Sequence, residues 1–374
     1  HQRTRPWHAQ RTQTRSIGGI MEFGLSQEQV LLQDSITRYL KDQVPLDKVR
    51  AVAEDPGLDQ SVWHGLTELG LAGLIIPEAH GGVGLGLLEA VVVGETLGYH
   101  VTPGPFLSTA VIAPSLLIAA GQTDRLADIA AGRYRVGVAL SEAVGARLDA
   151  GMTVSDGRLT GKALFALDAS ADAYIVNGPN RQLYWVDAKD PGFTRALLTT
   201  IDKTRTLCEL KLDQVDATLL TDDPAVLQAG LDAGRIVQAS DSLGAAQCML
   251  DQAVAYAGQR EQFNRVIASF QAVKHLCAEM ASQLEPCRAL IWYGGHALSE
   301  GDRSARLTVC HAKAHLSEVA QFVARTSTEV HGGMGFTDLV GLHYWFKRIG
   351  ANRQLLGSPE GLREEAARIQ MLVA

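Results

Sequence analysis

Apolar residues recur at helical spacing from Leu25 to Ala120, as in Val30, Leu31, Ile36 and Leu40 and again in Leu66, Leu69, Leu71 and Leu74. This spacing predicts an all-α block. Between Val136 and about Val215 the pattern changes: an Asp156-Gly157 turn separates two extended runs, and Cys208, Leu210 and Leu212 alternate with Glu209, Lys211 and Asp213. A period of two with turn residues between the runs predicts strands. Helical periodicity returns after Thr221, with Asp223 placed to cap the helix and Pro224 at its first position. Further on, Phe270, Val273, Cys277, Met280, Leu284, Cys287 and Ile291 step by three and four, the seam of a helix packed in a bundle. Pro286 is expected to kink that helix. The chain therefore reads as an α+β multidomain protein: an N-terminal α-helical domain over 21–130, a small β-barrel or sandwich over 131–220, and a C-terminal helical bundle over 221–374. No βαβ unit is visible, which disfavours a doubly wound nucleotide-binding fold.

A length of 374 residues suits two or three domains. With 34 Lys+Arg against 41 Asp+Glu the net charge is -7, and the basic residues form no run that would follow a phosphate backbone, so no nucleic-acid partner is expected. The five cysteines, 208, 248, 277, 287 and 310, are odd in number and include no CxxC pair. Neither a disulfide framework nor a zinc site is suggested, and a reducing, cytoplasmic compartment is expected. The longest uncharged stretch, Gly98 to Thr123, is broken by Pro103, Pro105 and Pro114, so no membrane span is expected. Residues 1–20 carry Arg3, Arg5, Arg11 and Arg15 and no acid. They could be an organelle transit peptide, but without an apolar helical face they are read as a vector-derived or upstream leader, with Met21 as the natural start.

Two glycine clusters, Pro77-Glu78-Ala79-His80-Gly81-Gly82-Val83-Gly84 and His331-Gly332-Gly333-Met334-Gly335-Phe336, could let backbone approach a pyrophosphate or could simply end helices. His311 and His315 share a helix face, but they enclose Ala312-Lys313-Ala314 and lack a third ligand, so no metal is expected. No serine stands in a G-x-S-x-G context, which removes the main sequence support for a hydrolase.

The segment Tyr256-Ala257-Gly258-Gln259-Arg260-Glu261-Gln262-Phe263-Asn264-Arg265, followed by Phe270-Gln271-Ala272-Val273-Lys274-His275, resembles the acyl-CoA dehydrogenase family, whose bundle carries Arg-x-x-Phe-Gly and then Phe-Gln-x-Val-x-His. Both glycine clusters match further motifs of that family, Gly161-Lys162 through Ala171-Asp172 resembles its β-domain strand pair, and the helix, β, helix order agrees. The resemblance runs from Met21 to the C-terminus. It implies an N-terminal α domain, a middle β domain and a C-terminal four-helix bundle. It also implies FAD-dependent oxidation of the Cα–Cβ bond of an acyl-CoA thioester to the trans-2-enoyl-CoA, with the flavin shared between subunits and electrons passed to an electron-transfer flavoprotein or similar acceptor.

By the same resemblance, Arg260 pairs with the pyrophosphate, Gln262, Phe263, Ile267, Phe270 and Gln271 line the adenine and ribose side, and Gly332 and Gly333 admit it closely. Asn264 replaces the usual glycine, and Glu329 stands where glutamine is common. On the ring side, Ser141-Glu142-Ala143-Val144-Gly145-Ala146-Arg147 matches a Thr-Glu-Pro-x-x-Gly-Ser segment only at Ser141 and Glu142, and Leu167 replaces the threonine of a Trp-x-Thr strand. The family's two base positions fall on Leu356 and Gly234, neither of which carries a carboxylate; the nearest on that helix face is Asp241, about two turns on. The expectation is a diverged subunit paired with a catalytic sister subunit as a dimer of dimers. The alternatives are a self-sufficient homotetramer using Asp241 and a non-redox, acyl-CoA-binding paralogue.

Overall fold

The computed structural model describes residues 24–145 and 151–373. The leader, Met21 and the Ala146-Arg147 end of the ring-side segment lie outside the described residues. Six helices build the N-terminal part: α1 (Gln27–Gln43), α2 (Leu46–Glu54), α3 (Asp59–Glu68), α4 (Leu87–Tyr99), α5 (Ala113–Ala119) and α6 (Leu126–Ala130). Just before α5, Phe106–Ile112 winds as a π-helix. Ser26 and Gln29 close a reciprocal capping box on α1.

Seven strands follow: β1 (Val136–Ala139), β2 (Gly151–Ser155), β3 (Arg158–Leu167), β4 (Ala173–Asn177), β5 (Leu183–Asp187), β6 (Phe193–Leu197) and β7 (Leu207–Thr221). Their order is β2-β3-β1-β4-β5-β7-β6, and an extra β3–β7 pairing closes the sheet into a small barrel. Closure depends on the length of β7, whose first part pairs with β3 and β6 and whose last part pairs with β5. The β2–β3 hairpin turns through Asp156 and Gly157, both at positive φ, as a two-residue turn of matching twist requires. The alternation along β7 buries Cys208, Leu210 and Leu212 in a core private to the barrel, together with Leu159, Tyr174 and Val215.

The bundle comprises α7 (Pro224–Gln259), α8 (Gln271–Ser299), α9 (Ala305–His331) and the shorter α10 (Leu342–Gln354) and α11 (Pro359–Ile369). A two-residue ribbon, β8 (Glu261–Gln262) and β9 (Arg265–Val266), joins α7 to α8. Asp223 caps α7 through its side chain and Pro224 opens it. The seam of α8 is buried only from Met280 onward; Phe270, Val273 and Cys277 are half-exposed. Instead of breaking α8, Pro286 is carried within the continuous helix on an exposed face, where the carbonyl it cannot satisfy is open to water.

A second core runs without interruption from α1 and α4 through the π-helix into α7, α8 and α9. The approach of α4 to α7 is backbone to backbone: a Cβ on Gly98 would fall 1.9 Å from the Asp241 carbonyl oxygen, and one on Gly244 1.8 Å from that of Glu95. Only glycine fits either place.

Buried ion pairs tie the domains together. Arg135, beside the start of β1, makes two 3.0 Å bonds to Asp59 of α3 and bonds of 2.7 and 3.0 Å to Asp168 after β3. Arg348 of α10 binds Asp241 of α7 at 2.6 Å, the Thr102 carbonyl at 2.7 Å and the Thr204 hydroxyl at 3.1 Å. One guanidinium thereby joins the bundle, the N-terminal domain and the barrel. On α9, Lys313 is buried and donates to the carbonyls of Gly357 at 2.9 Å and Asn352 at 3.1 Å, fastening the α10–α11 connection.

Burial, and secondarily the charges of Arg235 and Arg353, lower the Lys313 pKa to about 7. An unfolded lysine titrates at about 10.4. Between these values the unfolded chain holds the extra proton, so Lys313 disfavours folding at neutral pH and this penalty fades as pH rises. Urea unfolding measured from pH 7 to 9.5 should show stability rising with pH, and Lys313→Met should flatten that rise; an identical slope in the variant contradicts it.

Candidate functional site

At one end of the bundle α7 stops at Arg260, whose backbone carbonyl accepts from the Ile267 N–H at 2.8 Å, so the chain folds straight back through β8 and β9. Phe263 and Asn264 form the turn at φ 52° and 61°. The asparagine that replaces glycine is therefore tolerated, because asparagine visits the left-handed region at low cost. Phe263 is 87% exposed, its ring centre 6.2 Å from that of Phe270, and the Arg265 guanidinium covers the Phe270 ring at 4.0 Å. Tyr256 stacks on His331 at 4.8 Å, which brings the end of α9 beside the end of α7. Gly332 (φ 56°) and Gly333 follow, and a Cβ on either would meet nothing within 4 Å. Arg260, Gln262 and Gln271 are exposed, Ile267 and Phe270 are half-exposed, and Glu329 points outward. The sequence-selected binding residues thus gather at one end, where free guanidinium donors and open backbone could hold an anionic nucleotide.

The ring-side residues are turned inward. Ser141 donates to the Phe165 carbonyl at 3.4 Å, and Glu142 accepts from the Leu164 N–H at 2.8 Å. The second Glu142 oxygen is buried with no protein partner among the described residues, and burial raises the pKa of the carboxyl. Leu167 is buried in the shared core and offers no donor. Two cavities of about 20 Å³ each lie where the three domains meet, one of them lined by Leu167, and a larger cleft opens beside Ala143 and Val144.

The two base positions, remote in sequence, converge in space. A Cβ on Gly234 would lie 2.9 Å from Cδ1 of Leu356 and 2.7 Å from Cδ1 of Ile112. Leu356 is 6% exposed and held at φ 61°, with its carbonyl accepting from Arg235 Nε at 2.9 Å. The surroundings of both positions are hydrocarbon.

Asp241 does not substitute for a carboxylate there. The carboxylate is 5% exposed and accepts from Arg348 Nε at 2.9 Å, Arg348 Nη2 at 2.6 Å and Asn352 Nδ2 at 2.7 Å; Arg205 Nη2 stands 3.8 Å away. Burial pushes its pKa up, but Arg348 and Arg205 outweigh this and hold it below the ordinary carboxylate range. A carboxylate so held is a weak base and a strong anchor.

A cleft of about 560 Å³ opens between the Ala143-Val144 turn and the ends of α7 and α11, lined by Arg181, Gln228, Arg235, Arg306, Ser358 and Arg368. Its lining also includes Glu364 and Glu365, and most of the arginines are paired there, Arg235 and Arg306 with Glu365 and Arg368 with Glu364. Beside Arg235, burial raises the Asp232 pKa to about 6 despite that guanidinium. Sequence reasoning missed Arg235, Lys313 and this cleft. The available signals were Arg235 standing directly after Gly234, and a lysine on the apolar stripe of α9 between Val309 and Leu316. His311 and His315 are exposed, and the described residues contain no cluster of three metal-ligating side chains. No described helix is long and apolar enough to cross a membrane.

Comparison with known proteins agrees with the fold. The acyl-CoA dehydrogenase N-terminal domain matches residues 26–126 and the C-terminal domain residues 225–371. Acyl-CoA dehydrogenase IpdE2 of Mycobacterium tuberculosis is 30% identical over 89% of this chain and 94% of its own. The IpdE2 of Mycolicibacterium smegmatis is 30% identical over 92% and 99%. Among solved structures, a single-substitution variant of the Tcur3481-Tcur3483 steroid ACAD superposes with a TM-score of 0.84 at 29% identity, covering 92% of this chain and 98% of that one. The chain belongs to the acyl-CoA dehydrogenase family of FAD-dependent oxidoreductases.

Proposed function

We propose that this chain is the supporting subunit of a hetero-oligomeric acyl-CoA dehydrogenase, assembled with a catalytic sister subunit as a dimer of dimers in the cytoplasm. The observation that carries the reading is the contact of Gly234 with Leu356 and Ile112, which leaves hydrocarbon at both base positions. Bound FAD supplies the hydride acceptor for oxidation of the acyl Cα–Cβ bond. Arg260 would hold the pyrophosphate through its several donors, and the open backbone of Gly332 and Gly333 would lie against it. Gln262, Phe263, Ile267, Phe270 and Gln271 line the adenine and ribose. The sister subunit provides the ring pocket and the carboxylate that takes the α-proton. Ser141, which donates to the Phe165 carbonyl at 3.4 Å, would lie on the flavin side of this subunit.

The substrate is an acyl-CoA whose acyl group is bulky and steroid-derived, a reading supported by likeness to the steroid enzyme above. The acceptor is an electron-transfer flavoprotein or a similar carrier; a partial relative, subunit CarC of the caffeyl-CoA reductase-Etf complex of Acetobacterium woodii, is 38% identical over 28% of this chain. The self-sufficient alternative takes Asp241 or another carboxylate as base, and the pairing of Asp241 with Arg348 argues against the first of these. Exposed Arg260 and the open glycine pair argue against a non-redox paralogue.

Purified alone, the chain should show no flavin absorption, and co-expression with the sister subunit should restore flavin bands that bleach under anaerobic addition of acyl-CoA. Bands near one per subunit that bleach in the chain alone contradict the proposal. In the co-expressed assembly, Arg260→Ala should weaken FAD binding by about 10- to 100-fold, the range expected for a lost charge-assisted clamp. Unchanged FAD affinity in that variant overturns the assignment of Arg260.

A further inference from the structure

After α4 the chain crosses α7 over a small cavity of about 20 Å³, lined by Thr102 and Phe106 on one side and Val237, Gln238, Asp241 and Arg348 on the other. Two wall residues are polar and unsatisfied. Gln238 is 1% exposed and Thr102 is 3% exposed. Neither polar atom of the Gln238 amide, nor the Thr102 hydroxyl oxygen, has a protein hydrogen-bond partner among the described residues. The charged neighbours are already engaged, Arg348 with Asp241, Thr204 and the Thr102 carbonyl, and Asp241 with Arg348 and Asn352. Buried amide and hydroxyl groups are rarely left unpaired in folded proteins.

The cavity has the volume to answer this. By the same measure a water molecule needs about 10–15 Å³ and two to four polar partners. A space of about 20 Å³ meets the first need, and the Gln238 amide with the Thr102 hydroxyl meets the second. We infer that this cavity is a binding site for one ordered water molecule, which bridges Gln238 of α7 to Thr102 of the N-terminal domain beside the Asp241–Arg348 pair. The water is a structural ligand: it extends the contact between the two helical domains at the point where their backbones are closest. The inference is independent of the catalytic reading, because it concerns groups that take no part in that chemistry.

Crystals of the full chain, alone or in its assembly, at a resolution that resolves solvent should show a density peak within about 2.6–3.2 Å of both the Gln238 amide and Thr102 Oγ1. An empty cavity, or a Gln238 amide bonded directly to Thr102, overturns the inference. Thermal unfolding gives a second reading. With the water in place, Thr102→Val removes one of its partners and lowers the melting temperature by about 2 °C. A dry cavity predicts that the same change removes an unpaired hydroxyl and raises it, and a rise or no change counts against the water.

Discussion

The Asp241–Arg348 ion pair is the constraint on which the arrangement of this protein depends. Burying either charge alone would cost several kcal/mol, so each requires the other, and the low-dielectric setting demands that remaining donors also find partners. Arg348 meets that demand by reaching into the other two domains, to the Thr102 carbonyl and the Thr204 hydroxyl. Asn352, one turn further along α10, adds a bond to the same carboxylate and accepts from Arg205 at 2.5 Å. Helix, barrel and bundle are thus registered on one carboxylate, and Gly98 lets α4 lie against the backbone of the same aspartate.

The same constraint bears on chemistry. A base must be free to take a proton, while a structural anion must not, and Asp241 is held in its charged form by two guanidinium groups. Around Gly234 and Leu356 the packing is apolar and tight, with the Leu356-Gly357 turn gripped by Arg235 and Lys313. The opposite end of the bundle is built in the other sense, with exposed Arg260, an open glycine pair and a protruding Phe263. The chain is tightly packed around Gly234 and Leu356 and open around Arg260 and the glycine pair.

Local features are legible in the sequence wherever the cause is local. The Asp223-Pro224 helix start, the Asp156-Gly157 turn and the alternation along β7 each depend on residues within a few positions, and each is present. Departures arise where the decisive contact is distant in sequence. Arg348 lies in another helix from Asp241, so spacing along α7 offers the carboxylate as a base candidate but does not reveal its partner. Gly234 and Leu356 each visibly lack a carboxylate, whereas their mutual packing belongs to the tertiary fold. Pro286 lies within a helix that continues on both sides of it, on an exposed face. Phe263-Asn264 departs from a glycine motif in sequence, and the turn shows asparagine serving the same backbone.

Replacing Asp241 by asparagine in the co-expressed assembly measures the central claim most directly, because it keeps the shape and removes the charge. The account predicts that unfolding free energy falls by about 3–5 kcal/mol, as for a buried pair deprived of one partner. Turnover per folded, FAD-loaded assembly should stay at the wild-type level. Unchanged stability together with abolished enoyl-CoA formation would show that Asp241 is the base after all.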